Sequence, residues 1–246
     1  MSYSKDSPRV HVGRASLEGN IERYARSFNL LEVSGEQGRH PRRPGLLAWK
    51  RAVPEDFVFS VVVPPSVAEL PSGGAEAQLA HAASVAESLG AAWWVLRTPP
   101  VVTPSARSLR ALQALGARLS EGGRRIAWEP RGVWSDETAI ARASELGFAL
   151  VRDLGREDRL DDGPVVYTRL RALGAGARVG AAAAERVAER LEGVREAYVV
   201  VEGAGAGRVR QVLRDMLAAP PDDDFSDDDE DDVDSEDEPA FTTEDE

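Results

Sequence analysis

The chain has 246 residues, no cysteine, 42 acidic and 30 basic side chains, and a formal net charge of −12. Residues 222–246 carry 16 of those acids and no Lys or Arg, which leaves 26 acids against 30 bases in residues 1–221. Disulfide frameworks, thiolate zinc, iron–sulfur clusters and thiol nucleophiles are therefore excluded, and no run approaches the roughly 18 apolar residues of a membrane span. The expectation is a cytoplasmic protein without a secretory signal, with a mildly basic body and a polyanionic tail. The body is long enough to bury a sizeable core as one domain.

Short β-type runs alternate with amphipathic windows along that body. Val10–Gly13 reads as a first strand, and Asn20 caps a helix over Ile21–Phe28. Leu30–Ser34 is a second strand, followed by a helix over Pro44–Val53 with proline at its start. Phe57–Val63 is β-branched or aromatic nearly throughout and gives the strongest strand signal. A helix over Ala75–Leu89 leads to a strand over Trp93–Arg97. Ser105 caps a helix with Leu109, Leu112, Leu115 and Leu119 on one face, and Arg125–Glu129 is a fifth strand. Ser135 caps the next helix, whose first turn holds Asp136 and Glu137 as the macrodipole favours, and Gly147 ends it. Strands over Ala149–Leu154 and Val165–Leu170, a helix over Gly180–Leu191, a strand over Ala197–Val201 and a helix over Gly207–Leu217 complete the body.

Eight strands with intervening helices predict a parallel sheet closed as a (β/α)₈ TIM-type barrel over residues 9–219. Residues 1–8 are expected to be flexible, and residues 220–246 to form a disordered acidic tail that cannot bury enough apolar surface to fold. Between the sixth and seventh strands only Gly155–Gly163 remains, too short for the usual parallel crossover of a dozen residues or more. Either the helix there is missing or the barrel is locally open, with an open doubly wound sheet as the alternative. The glycines at 203, 205 and 207 lack the complete dinucleotide fingerprint and read as a simple turn.

Two segments carry a family resemblance: Tyr24-Ala-Arg-Ser-Phe28-Asn-Leu-Leu-Glu32-Val, and Ala127-Trp-Glu129-Pro-Arg131-Gly-Val-Trp134. With weaker matches at Thr98-Pro99-Pro100, Leu150-Val-Arg-Asp153 and Val166-Tyr167-Thr-Arg169, the chain resembles the YecE-like family, TIM-type barrels grouped as domain of unknown function 72. The resemblance runs from about Val10 to Leu217 and implies that ligand chemistry sits at the strand C-terminal ends. There this chain departs from the family. Arg171-Ala172 stands where the family has His-Gly, Glu202-Gly203 where it has paired asparagines, and Val61–Val63 where a lysine ends the third strand. The rim is degenerate while the strand interiors are kept.

The polar residues at those ends are the candidate site. Glu129, Glu32 and Asp153 are the catalytic candidates, because paired carboxylates in a half-buried cup are what acid/base work requires. Arg131, Arg169 and Arg97 could grip a phosphate or carboxylate, with Trp134 and Tyr167 as aromatic or hydroxyl contacts. The competing reading makes Glu129, Arg131 and Arg169 a structural ion-pair network. Side-chain alternation sends Trp93 and Trp94 to opposite faces. His11, His40 and His81 have no ligand spacing, so no metal and no cofactor is expected.

Two functions remain open at this point. One is a binding or interaction barrel, a pseudoenzyme, for a small polar or anionic ligand or a protein partner. The other is an acid/base hydrolase or isomerase for a sugar- or phosphate-containing substrate. The acidic tail is expected to bind a basic partner or the body's own arginines. Arg39-His40-Pro41-Arg42-Arg43 is a further basic loop; nothing else in the sequence supports nucleic-acid binding.

Overall fold

The computed structural model describes residues 7–70, 75–174 and 176–218. The tail and all but the end of the N-terminal segment lie outside them. The strands are β1 (Arg9–Arg14), β2 (Leu30–Ser34), β3 (Val58–Val62), β4 (Trp93–Thr98), β5 (Arg125–Pro130), β6 (Ala149–Leu150), β7 (Val165–Arg171) and β8 (Glu196–Glu202). The helices are α1 (Ile21–Ala25), α2 (Arg43–Ala52), α3 (Pro65–Ala68), α4 (Glu76–Leu89), α5 (Ala106–Ser120), α6 (Asp136–Leu146), α7 (Ala181–Arg190) and α8 (Ala206–Leu217).

All strand pairs are parallel, in the order β6-β5-β4-β3-β2-β1-β8-β7. The last seam is narrow. One bridge, Arg152 to Thr168, joins β6 to β7, and the Thr168 hydroxyl reinforces it by donating to Arg152 O at 2.8 Å and accepting from Leu154 N at 3.2 Å. The result is a nearly closed (β/α)₈ barrel.

The local signals act where the sequence placed them. Asn20, Ser105 and Ser135 accept from first-turn N–H groups of α1, α5 and α6, and Gly90 and Gly147 end α4 and α6 in the left-handed conformation. Three elements differ from expectation. Helix α1 stops at Ala25, because the Tyr24 carbonyl accepts from both Ser27 and Phe28 and turns the chain toward β2. The short α3 is additional. Strand β6 pairs only over Ala149–Leu150, because the chain turns at Asp153, whose carboxylate accepts from Gly155 N at 3.1 Å.

No helix connects β6 to β7, one of the two outcomes that the nine-residue spacing left open. Two α7 arginines tie the turn down instead: Arg186 donates to Gly155 O and Arg190 to Leu154 O, each at 2.7 Å. Among the described residues no helix is long and apolar enough to cross a membrane.

Strand alternation sorts the core into two layers. Leu30, Trp93, Val95, Ala127, Val151, Tyr167, Tyr198 and Val200 fill the barrel interior. Leu31, Val33, Phe59, Val61, Trp94, Leu96 and Trp128 face outward to the helices. On the other side of the barrel Val12, Val199, Val201, Val209 and Leu213 do the same. Strands β1 and β2 approach so closely that a Cβ at Gly13 would lie 1.8 Å from Leu30 O, so glycine is required there.

At the strand N-terminal end of the interior, His11 is 1% exposed and stacks on Tyr198 at 4.8 Å, with Glu196 3.6 Å from its Nε2. Burial holds the imidazole below its ordinary range, aided by Arg9 and opposed by Glu196 and Asp56. The folded protein thus resists the proton that the unfolded chain takes up below about pH 6.5, and stability falls as pH drops through that region toward the lower folded value. Replacing His11 by asparagine is expected to flatten this segment of a pH series of urea unfolding curves. An unchanged slope between about pH 7 and 5 would show that other groups carry it.

Candidate functional site

The motif residues Tyr24 and Asn29 act before the site does, by setting β1 against β2. The Tyr24 hydroxyl donates to Leu30 O at 2.7 Å and accepts from Arg14 N at 2.8 Å. The Asn29 side chain accepts from Val12 N at 2.8 Å and donates to Val10 O. This fixes β2 in register and aims Glu32 inward.

At the C-terminal ends, alternation turns Glu32, Arg97, Glu129, Arg169, Arg171 and Glu202 toward one axis. Arg169, 2% exposed, is the hub. Its Nη1 donates to Glu129 Oε2 at 2.8 Å, and its Nη2 reaches Glu32 Oε2 at 2.9 Å and Glu202 Oε1 at 2.6 Å. Glu129 is the acidic hub. Its Oε2 also accepts from Arg97 Nε at 3.0 Å, and its Oε1 accepts from Arg131 Nε at 3.1 Å and from Arg171 Nη2. Two guanidinium groups therefore meet each oxygen, which uses all four lone-pair sites of the carboxylate. Arg171 and Arg97 also pair with Glu202 at 3.4 and 3.6 Å.

The two buried carboxylates titrate in opposite directions. Burial pushes Glu32 up, and Arg169, the Tyr167 hydrogen bond and Arg97 only partly offset it. Burial acts on Glu129 the same way, but Arg169, Arg97 and Arg171 together outweigh it and hold that carboxyl below its ordinary range. Tyr167 donates its hydroxyl to Glu32 Oε1 at 2.9 Å, and burial beside Glu32 pushes the phenol up, so it remains a donor.

Asp153 stands apart from this cluster. It accepts from Arg171 N at 3.1 Å and Arg156 Nη1 at 3.3 Å as well as from Gly155 N, so it caps the turn after β6. Trp134 packs edge-on against Trp128 with centroids 5.0 Å apart and donates its indole N–H to Val102 O at 2.7 Å. Beside the network opens a cavity of about 370 Å³, whose lining includes Glu129, Arg131, Trp134, Arg152, Asp153 and Arg171. Glu32, Tyr167, Arg97 and Arg169 are not on that lining.

Sequence reasoning missed Arg171 and Glu202 as members of the site, although both were noted as departures from the family pattern. The signal was present in the alternation, since Arg171 is two residues beyond Arg169 and Glu202 ends the next strand. His40 and His81, separate in sequence, meet with Nε2 atoms 3.1 Å apart and rings stacked at 5.2 Å. Among the described residues no three His, Cys, Asp or Glu side chains are grouped to hold a metal ion.

Residues 11–222 match the family described as "Protein of unknown function DUF72". The chain belongs to that family. Two DUF72 proteins of solved structure share the fold. One, from Enterococcus faecalis, is 17% identical, with a TM-score of 0.66 over 87% of this chain and 100% of its own. The other, from Thermotoga maritima, is 16% identical, with a TM-score of 0.59 over 85% and 99%. A xylose isomerase domain containing protein from Salmonella typhimurium is similar at 14% identity and a TM-score of 0.59, over 88% of this chain and 98% of its own. At these identities the likeness extends to the DUF72 fold alone. No curated protein matches the chain.

Proposed function

We propose that this DUF72 barrel is a binding protein, and that its mouth takes a small polyhydroxylated ligand bearing a carboxylate or phosphate. One observation carries the reading: Glu129, the best-placed carboxylate, already accepts from four guanidinium groups and borders an open cavity. A base must have a free lone pair to take a proton, and Glu129 has none to offer. Glu32 is 1% exposed and closed off by Tyr167 and Arg169. Of the three candidate carboxylates, Glu129 and Glu32 are thus closed to acid/base work and Asp153 is spent on Gly155 N, Arg171 N and Arg156, whereas binding needs no free base. Arg131 and Arg171 each keep N–H groups beyond those spent on Glu129, a fork suited to an anion. The carboxylates of Asp136 and Glu157 on the cavity wall can accept hydroxyls, and Trp134 offers a ring edge.

The test is thermal unfolding of the full chain with a hexose phosphate, a hexuronic acid and the neutral hexose at millimolar concentration. A rise of about 3 °C or more with the anionic compounds alone, lost in Arg131→Gln, is the expected result. No shift with any of them, or an identical shift in Arg131→Gln, would overturn it. NMR detection of hydrolysed or isomerised product would restore the enzyme reading.

A further inference from the structure

The sequence suggested that the acidic residues 222–246 fold over the mouth arginines. At the mouth Arg97 and Arg169 are engaged with Glu32, Glu129 and Glu202, and Arg131 and Arg171, also paired with Glu129, keep only the N–H groups that the small ligand would take. A more open basic surface lies at the opposite end of the barrel, where the chain leaves α8.

Helix α1 has five residues, about 7.5 Å of axis, against twelve and about 18 Å for α8. The outer face of β1 beside α8 is therefore incompletely covered. A groove of about 280 Å³ opens there, and its lining includes Val10, Leu213 and Leu217 with Arg210, Arg214 and Ala218. Arg210 has no ion-pair partner among the described residues. Arg214 donates to the neutral Gln211 Oε1 at 2.8 Å and approaches the exposed Asp215 at 3.6 Å, while both Asp215 oxygens accept from Gln211, so among the described residues no carboxylate holds it closely. Ala218 is the last described residue, so the next segment starts inside the groove lining.

We propose that residues 219–232 dock in this groove, with the Phe225 ring between Val10 and the Leu213–Leu217 turn and the flanking aspartates against Arg210 and Arg214. The order of residues fits the place. Pro220 and Pro221 cannot continue α8, Asp222–Asp224 follow, and Phe225 is the first large apolar side chain after Leu217. Seven residues from Ala218 span at most about 25 Å, ample to double back over one helical turn of about 5.4 Å. Phe241 would close a much longer loop at greater entropic cost. Docking here completes the cover over the half-buried Val10 and Leu217 and leaves the ligand mouth open, so the two sites operate independently.

The absence of native cysteine makes the test direct. A nitroxide on Ser226→Cys in the full chain is expected to broaden the methyl signals of Val10, Leu213 and Leu217 at low salt. Their intensity should recover at least threefold in Phe225→Ala and in the Arg210→Glu, Arg214→Glu double variant, both otherwise folded. Broadening centred on the Arg39–Arg43 loop, or none confined to the groove, would overturn the proposal. So would broadening that appears only when labelled chain is mixed with unlabelled, isotope-enriched chain, because a second copy would then be the occupant.

Discussion

Replacing Arg169 by methionine is expected to lower the unfolding free energy at neutral pH by about 3–5 kcal/mol, the scale of losing one partner of a buried ion pair. Among the described residues Arg169 alone pairs with Glu32, Glu129 and Glu202 together, at 2.9, 2.8 and 2.6 Å. Glu129 keeps three other arginines after the change, and Glu202 keeps Arg97 and Arg171. Glu32 keeps only the Tyr167 hydroxyl and is already pushed up by burial. It becomes the uncompensated charge.

The sign of the pH effect follows. Without Arg169 the folded-state pKa of Glu32 rises further above its unfolded value of about 4.3. The folded variant then holds a proton that the unfolded chain releases, and its stability falls as pH rises above that value. The deficit of Arg169→Met should therefore be larger at pH 8 than at pH 5 in urea titrations. Adding Glu32→Gln should recover part of it and remove the pH dependence. A loss below about 1 kcal/mol, equal at both pH values, would mean that the hub contributes no more than an exposed pair does.

The same residues show how much of this molecule can be read from its sequence. Strand alternation and strand-to-helix rhythm are local, and they placed all eight strands, the short β6–β7 connection, and the opposite faces of Trp93 and Trp94. Alternation also placed Glu32, Glu129 and Arg169 on the inward side. It could not choose partners, because Glu32 and Arg169 are 137 residues apart and meet only when the barrel closes. Nor could it separate Asp153 from the cluster. Asp153 ends a strand in sequence, but the β6 ladder stops early and its carboxylate turns to backbone N–H groups that no side-chain pattern announces. The same holds for His40 and His81, which a loop and a helix bring together without ligand spacing.

Trp93 tests whether the barrel interior is as tightly specified as its rim. It is 1% exposed, packs edge-on against the stacked pair Tyr167 and Tyr198 with centroids at 5.3 and 5.0 Å, and carries the Arg125 guanidinium 4.3 Å over its ring. Truncation to alanine is expected to cost about 3–5 kcal/mol in urea unfolding, the range for a buried aromatic whose surroundings cannot collapse. The surroundings here are strands locked on both sides by ladders to β3 and β5, so the void should persist. The partly buried Trp134 at the mouth should lose less than half as much on the same change. A persistent void can be refilled: indole added to Trp93→Ala should raise its melting temperature and leave the unchanged protein unaffected. A cost below about 2 kcal/mol with no response to indole would mean that the ring stack relaxes inward. The barrel closure would then rest on the polar rim, with Arg169 at its centre, more than on the aromatic interior beneath it.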